Sequence, residues 1–111
     1  MLASDIPAEQ WDSFLAEFNR EHAGRWVRVE RHQPGIGIIY EVDSCVFEKI
    51  HDDCSGDRHR IGVVVGEPCQ NQETFFMTDP LQLLWCEDDI SATLQISGAD
   101  GRYLLVRLLH T

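Results

Sequence analysis

Apolar side chains recur at Trp11, Phe14, Leu15 and Phe18, with His22 a further turn on. The steps from Trp11 are i+3, i+4, i+7 and i+11, which is one face of an amphipathic helix. Asp12, Ser13, Glu17, Asn19, Arg20 and Glu21 fall on the remaining surface and are predicted to be wet. Pro7 suits a first turn, where its missing N–H has no intrahelical partner to lose. Asp5 and Glu9 add negative charge near the positive end of the helix dipole. Gly24 is a natural left-handed stop. The pattern predicts a helix over 7–23. Its aromatic stripe reads as core buried against a sheet rather than as the lining of a binding site.

After Gly24 the hydrophobic period shortens to two. Val27 and Val29 share one face of a strand over 25–32, and His32-Gln33-Pro34-Gly35 turns the chain. Further strands are predicted over 36–46, 59–66, 74–78, 81–86, 90–97 and 102–109. The polar run from His51 to Arg58 reads as a loop. Ile61, Val63, Val64 and Val65 form a nearly continuous apolar run, the mark of a central strand covered on both faces. The last hairpin has the clearest signal. Ile90, Ala92, Leu94 and Ile96 alternate with polar residues, and Asp100-Gly101 supplies the turn. Six or seven strands joined by short turns predict a mainly antiparallel meander. The expected fold is α+β, one domain over 1–111. An N-terminal amphipathic helix packs on a curled sheet, even a partly closed barrel.

Composition narrows the partners more than the fold. The 111 residues carry 19 acidic and 9 basic side chains, a formal charge of -10. That field disfavours nucleic acid and anionic membrane, and favours a basic protein partner. The first residues, Met1 to Pro7, have neither a basic start nor an apolar run, so no secretory signal is expected. No apolar window is long enough to span a bilayer. Cys45, Cys54, Cys69 and Cys86 are widely scattered and read as reduced thiols in a cytoplasmic protein; two disulfides in an exported one are the alternative.

The run Ile6-Pro7-Ala8-Glu9-Gln10-Trp11, then Phe14-Leu15, Phe18, His22 and Gly24, resembles the opening of a family of small uncharacterised bacterial proteins, a domain of unknown function. Its members share an Ile-Pro-x-x-x-Trp helix start, a His-x-Gly exit and an immediate strand. They also tend to end in a hairpin similar to Ala99-Asp100-Gly101-Arg102 with an apolar strand after it. The resemblance covers the two ends and fades between about Ile36 and Gly66. It implies a fold and carries over no catalytic residue.

Tests for chemistry are mostly negative. Gly35-Ile36-Gly37 starts like a dinucleotide fingerprint, but Ile38-Ile39-Tyr40 breaks it and no helix follows. There is no phosphate-binding loop, His-Glu-x-x-His, Gly-x-Ser-x-Gly or Cys-x-x-Cys. The segment from His51 to His59 does hold ligand chemistry. His51, Cys54 and His59 could bind zinc, with Cys45 or Cys69 completing a tetrahedron, though the spacing fits no common zinc site and the acidic residues fail the calcium-loop pattern. Cys54 with His51 or His59 could also be a nucleophile and base, but nothing in the sequence supplies a third group. His22 reads as a capping or packing residue at the helix end. Trp85, Glu87, Asp88 and Asp89, beside Leu81, Leu83 and Leu84, form the candidate contact surface, apolar anchors with an acidic rim.

The expected function is that of a small acidic, non-enzymatic interaction or accessory module, in its sharper form an inhibitor or immunity-like protein toward a basic enzyme. The alternative is a metal- or small-ligand-binding domain using the 51–59 loop, and an enzyme ranks third. No cofactor is expected beyond that possible zinc. Unpaired sheet edges and leucines on both faces leave monomer and homodimer both open.

Overall fold

The computed structural model describes residues 2–54, 58–66, 72–87 and 91–109. Leu2–Ile6 forms a strand, β1, followed by a 3-10 turn at Ala8–Gln10 and helix α1 at Trp11–His22. Seven strands follow: β2 Trp26–Gln33, β3 Gly37–Asp53, β4 Arg60–Gly66, β5 Glu73–Thr78, β6 Pro80–Glu87, β7 Ala92–Gly98 and β8 Tyr103–Leu108. They make one sheet in the order β1-β6-β7-β8-β2-β3-β4-β5, and every pairing is antiparallel. The α+β class and the antiparallel sheet hold. The strands among the described residues number eight, more than the six or seven the pattern predicts.

Three differences have local causes. The strand β1 has no alternation to announce it; it exists because β6 offers a free edge, pairing Leu2 with Glu87 through to Ile6 with Leu83. The predicted helix over 7–23 is shorter, because its first turn winds as a 3-10 segment behind Pro7. The strand predicted over 36–46 runs on to Asp53, so His51, Asp52 and Asp53 belong to a strand and not to a loop. They are held there by pairing with β4, from His51–Gly62 to Asp53–Arg60.

The sequence meander is interrupted as well. The last strand, β8, lies between β7 and β2, so it joins β6–β7 to β2–β5. The apolar run in β4 is buried throughout from Ile61 to Val65, yet β4 lies one strand in from an edge rather than at the centre.

The 17-residue β3 changes partner halfway. Its first part pairs with β2 up to Val46, and its second pairs with β4 from Val46 onward. A bulge between Phe47 and Lys49 bends it at the changeover. Past Val46, the edge that β2 has left is taken up by the helix exit. Gly24 N–H donates to the Phe47 carbonyl and Phe47 N–H to the Arg25 carbonyl, each at 2.8 Å. Gly24 reaches that position with φ of 89°, where any side chain would be strained. One turn back, Asn19 holds both polar groups of Ile50: its Nδ2 donates to the carbonyl at 2.9 Å and its Oδ1 accepts from the N–H at 2.7 Å. Asn19 therefore departs from the wet face predicted for it and acts as a short stand-in for a strand.

The sheet curls without closing. Strands β1 and β5 stand at its two ends and do not pair with each other. The far end still swings back: the Met77 thioether of β5 occupies the space where a Cβ on Gly98 of β7 would lie, 2.8 Å away. Arg31 of β2 donates to the Phe76 carbonyl of β5 at 3.3 Å. The inner faces meet in one core, with Val27, Phe47, Ile61, Leu83, Ile96 and Leu104 fully buried and Trp11, Leu15 and Phe18 supplied by α1. Each such side chain contributes about 1.5–3 kcal/mol through removal from water. Phe18 packs edge-on against Phe47 with ring centroids 5.2 Å apart. Among the described residues no helix is long and apolar enough to cross a membrane.

Candidate functional site

Two groupings of polar side chains lie at opposite ends of α1. At the C-terminal end, the outer edge of the aromatic stripe meets β6. Trp85 stands edge-on to Phe14 and Phe18, at 6.4 and 5.6 Å between centroids, and lies 5.9 Å from the His22 ring. These rings, with Ala92, floor a pocket of about 170 Å³. Glu17, Glu21, Glu87 and Arg25 form its rim. Trp85 Nε1 donates to Glu87 at 3.2 Å, which fixes the indole. Glu17 is hydrogen-bonded by Arg20 one turn on, and this holds its carboxyl below the usual range.

His22 packs on Phe18 at 4.7 Å between ring centroids, and its Nδ1 lies 3.3 Å from the Arg25 guanidinium. Burial, and then the Arg25 charge, push its pKa down, with Glu21 and Glu87 opposing. His22 is thus packed into the aromatic cluster of Phe18 and Trp85. The stripe itself divides: Trp11, Leu15 and Phe18 are core, while Phe14 is half-buried at the pocket.

Of the surface named from sequence, Trp85 and Glu87 belong to this pocket, and Asp88 and Asp89 lie outside the described residues. Leu83 is fully buried and Leu81 is 66% exposed. The contribution of Phe14, Glu17, Glu21 and Arg25 was not foreseen, because only the docking of α1 beside β6 brings them to Trp85.

The second grouping lies beyond the N-terminal end of α1, at the β3–β4 turn. One ligand atom from each of Asp52, Cys54 and His59 lies within 4.8 Å of the others. His59 Nε2 and Asp52 Oδ1 are hydrogen-bonded, and the Cys54 thiol donates to the same carboxylate oxygen at 3.7 Å. The His59 ring lies 5.9 Å from that of Trp11, and its carbonyl accepts from Asp79 N–H at 2.7 Å. His51, named with Cys54 and His59 from sequence, is not with them. It is the neighbour of Asp52 on a strand, so its side chain takes the other face. There its Nε2 lies beside Gly62 and Phe76, without a hydrogen-bond partner among the described residues. Cys45 is buried in the core and donates to the Val27 carbonyl at 3.5 Å; Cys69 lies outside the described residues.

Asp52 binds both neighbours through one oxygen. Desolvation, and then the Asp52 charge, push the Cys54 thiol up.

Comparison of the chain with protein-family models, with curated proteins and with solved structures finds no match.

Proposed function

We propose that this protein is a non-enzymatic interaction module that docks a basic protein partner at the pocket between α1 and β6. The observation that carries the reading is the composition of that pocket: Phe14, Phe18 and Trp85 beside three carboxylates, Glu17, Glu21 and Glu87, against the single guanidinium of Arg25. A lysine or arginine side chain lays its aliphatic stem along aromatic rings and places its charge among carboxylates. A cation over an indole gains about 0.5–1 kcal/mol when exposed and about 2 kcal/mol when desolvated. The net charge of -10 steers such a partner from a distance. An inhibitor or immunity-like protein acting on a basic enzyme is one form of this reading, and a cytoplasmic location suits Cys45, Cys54 and Cys86, which form no disulfide among the described residues.

The test uses the full chain and a synthetic Lys/Arg-rich peptide, with a Glu-substituted peptide as control. Calorimetry is expected to show binding of the basic peptide only, weakening about tenfold from low to moderate salt. Trp85→Leu and the triple variant Glu17→Gln/Glu21→Gln/Glu87→Gln should each weaken it further. Asp43→Asn with Glu73→Gln, away from the pocket, should change it little. Equal loss from both sets of charge variants would reduce the effect to general acidity and sink the pocket reading.

A further inference from the structure

We propose that Asp52, Cys54 and His59 form a binding site for a divalent transition metal of the zinc class, independent of the docking pocket. The donor set comes first. A thiol sulfur, an imidazole nitrogen and a carboxylate oxygen are the three ligand types that zinc and cobalt(II) share, and hard cations such as calcium and magnesium avoid sulfur. The spacing comes next. In a tetrahedral zinc site, a sulfur at about 2.3 Å and an oxygen at about 2.0 Å from the metal stand about 3.5 Å from each other. Cys54 Sγ and Asp52 Oδ1 stand 3.7 Å apart. His59 Nε2 is closer to Asp52 than two ligands would be, because a hydrogen bond joins them. The cation takes the place of that hydrogen bond and moves the imidazole out to ligand distance.

The supports are stiffer than a surface loop provides. Asp52 is paired with Ile61 across the β3–β4 ladder, with Asp53–Arg60 beyond it. His59 is pinned through its carbonyl by Asp79 N–H and flanked by the Trp11 ring. Three protein ligands leave the fourth position to water or to a further donor, the open form of a zinc site. Binding releases the thiol proton of Cys54 and, when the imidazole is charged, one proton from His59.

The experiment titrates the untagged full chain with cobalt(II) alone, then displaces it with zinc. One equivalent of cobalt should give a thiolate-to-metal charge-transfer band together with the intense visible bands of a tetrahedral ion, and zinc should abolish both. Cys54→Ser should remove the charge-transfer band. Asp52→Asn, which keeps the side-chain shape and a hydrogen bond to His59, should weaken zinc at least tenfold, with circular dichroism reporting an intact fold. Cys86→Ser should leave the titration as in the wild type. Absence of a charge-transfer band in the wild type, or its survival in Cys54→Ser, would overturn the assignment, as would zinc affinity unchanged by Asp52→Asn.

Discussion

An asparagine on an outer helix face ordinarily adds little to a fold, but Asn19 uses both halves of its amide. It satisfies the N–H and the carbonyl of Ile50 on the edge that β2 has left, with α1 covering that edge. Asn19→Ala removes two hydrogen bonds and strands two backbone groups, so a loss of about 2–4 kcal/mol is expected in urea unfolding. Asn19→Asp keeps the acceptor for the Ile50 N–H and should lose less. The other residue with a measurable signature is His22. Its folded pKa lies below the ordinary value, from burial first and Arg25 second, with Glu21, Glu87 and Glu17 as the facing carboxylates. The native state therefore favours neutral imidazole. The stability this adds is present above the ordinary histidine value and is lost as pH falls toward the lowered folded value. Denaturant titrations at steps from pH 7 to pH 5 should show wild type losing stability relative to His22→Gln. A constant difference between the two would remove His22 as the cause.

Among the elements, the bulge in β3 has the sharpest consequence. Phe47 pairs with Val65 and Lys49 with Val64, which leaves Glu48 as the extra residue. Its side chain accepts from Gln72 at 3.0 Å and contributes little to the core. Glu48→Ala should cost under about 1 kcal/mol. Deleting Glu48 leaves Lys49 opposite Val64 and Ile50 opposite Val63 and removes only the extra residue, so Ile50 should stay in the core, and the cost, that of straightening the bend, should exceed that of Glu48→Ala in the same assay. The elements that could be read from sequence are those whose pattern was complete within a few residues. In β7 and β8, Leu94, Ile96, Leu104 and Val106 alternate and are buried, and Gly101 turns with φ of 82° as Asp-Gly foretells. The strand β1 was illegible because its only cause is the free edge of β6, far along the chain. The end of β3 was illegible because His51, Asp52 and Asp53 look like loop residues, and only pairing with β4 makes them strand. The same pairing decides the site: in a loop the choice between His51 and Asp52 is open, whereas on a strand adjacent residues take opposite faces.

For the whole molecule, the insertion of β8 between β7 and β2 bears on how the fold is reached. Val27 faces Leu108 and Leu94 faces Val106, so one strand completes two halves, one of them distant in sequence. Until β8 arrives, β2 and β7 each expose a hydrogen-bonding edge flanked by apolar residues, the kind of surface that recruits other chains. Closing so long a loop before any contact rewards it places this step at the top of the folding barrier. Stopped-flow refolding should then separate the sheet by region. Val106→Ala in β8 should slow folding in proportion to its loss of stability, while Met77→Ala in β5 should act mainly by speeding unfolding. The docking of β8 thereby sets the interval during which a newly made chain is exposed to aggregation, and a cell that makes this protein quickly needs that interval to be short.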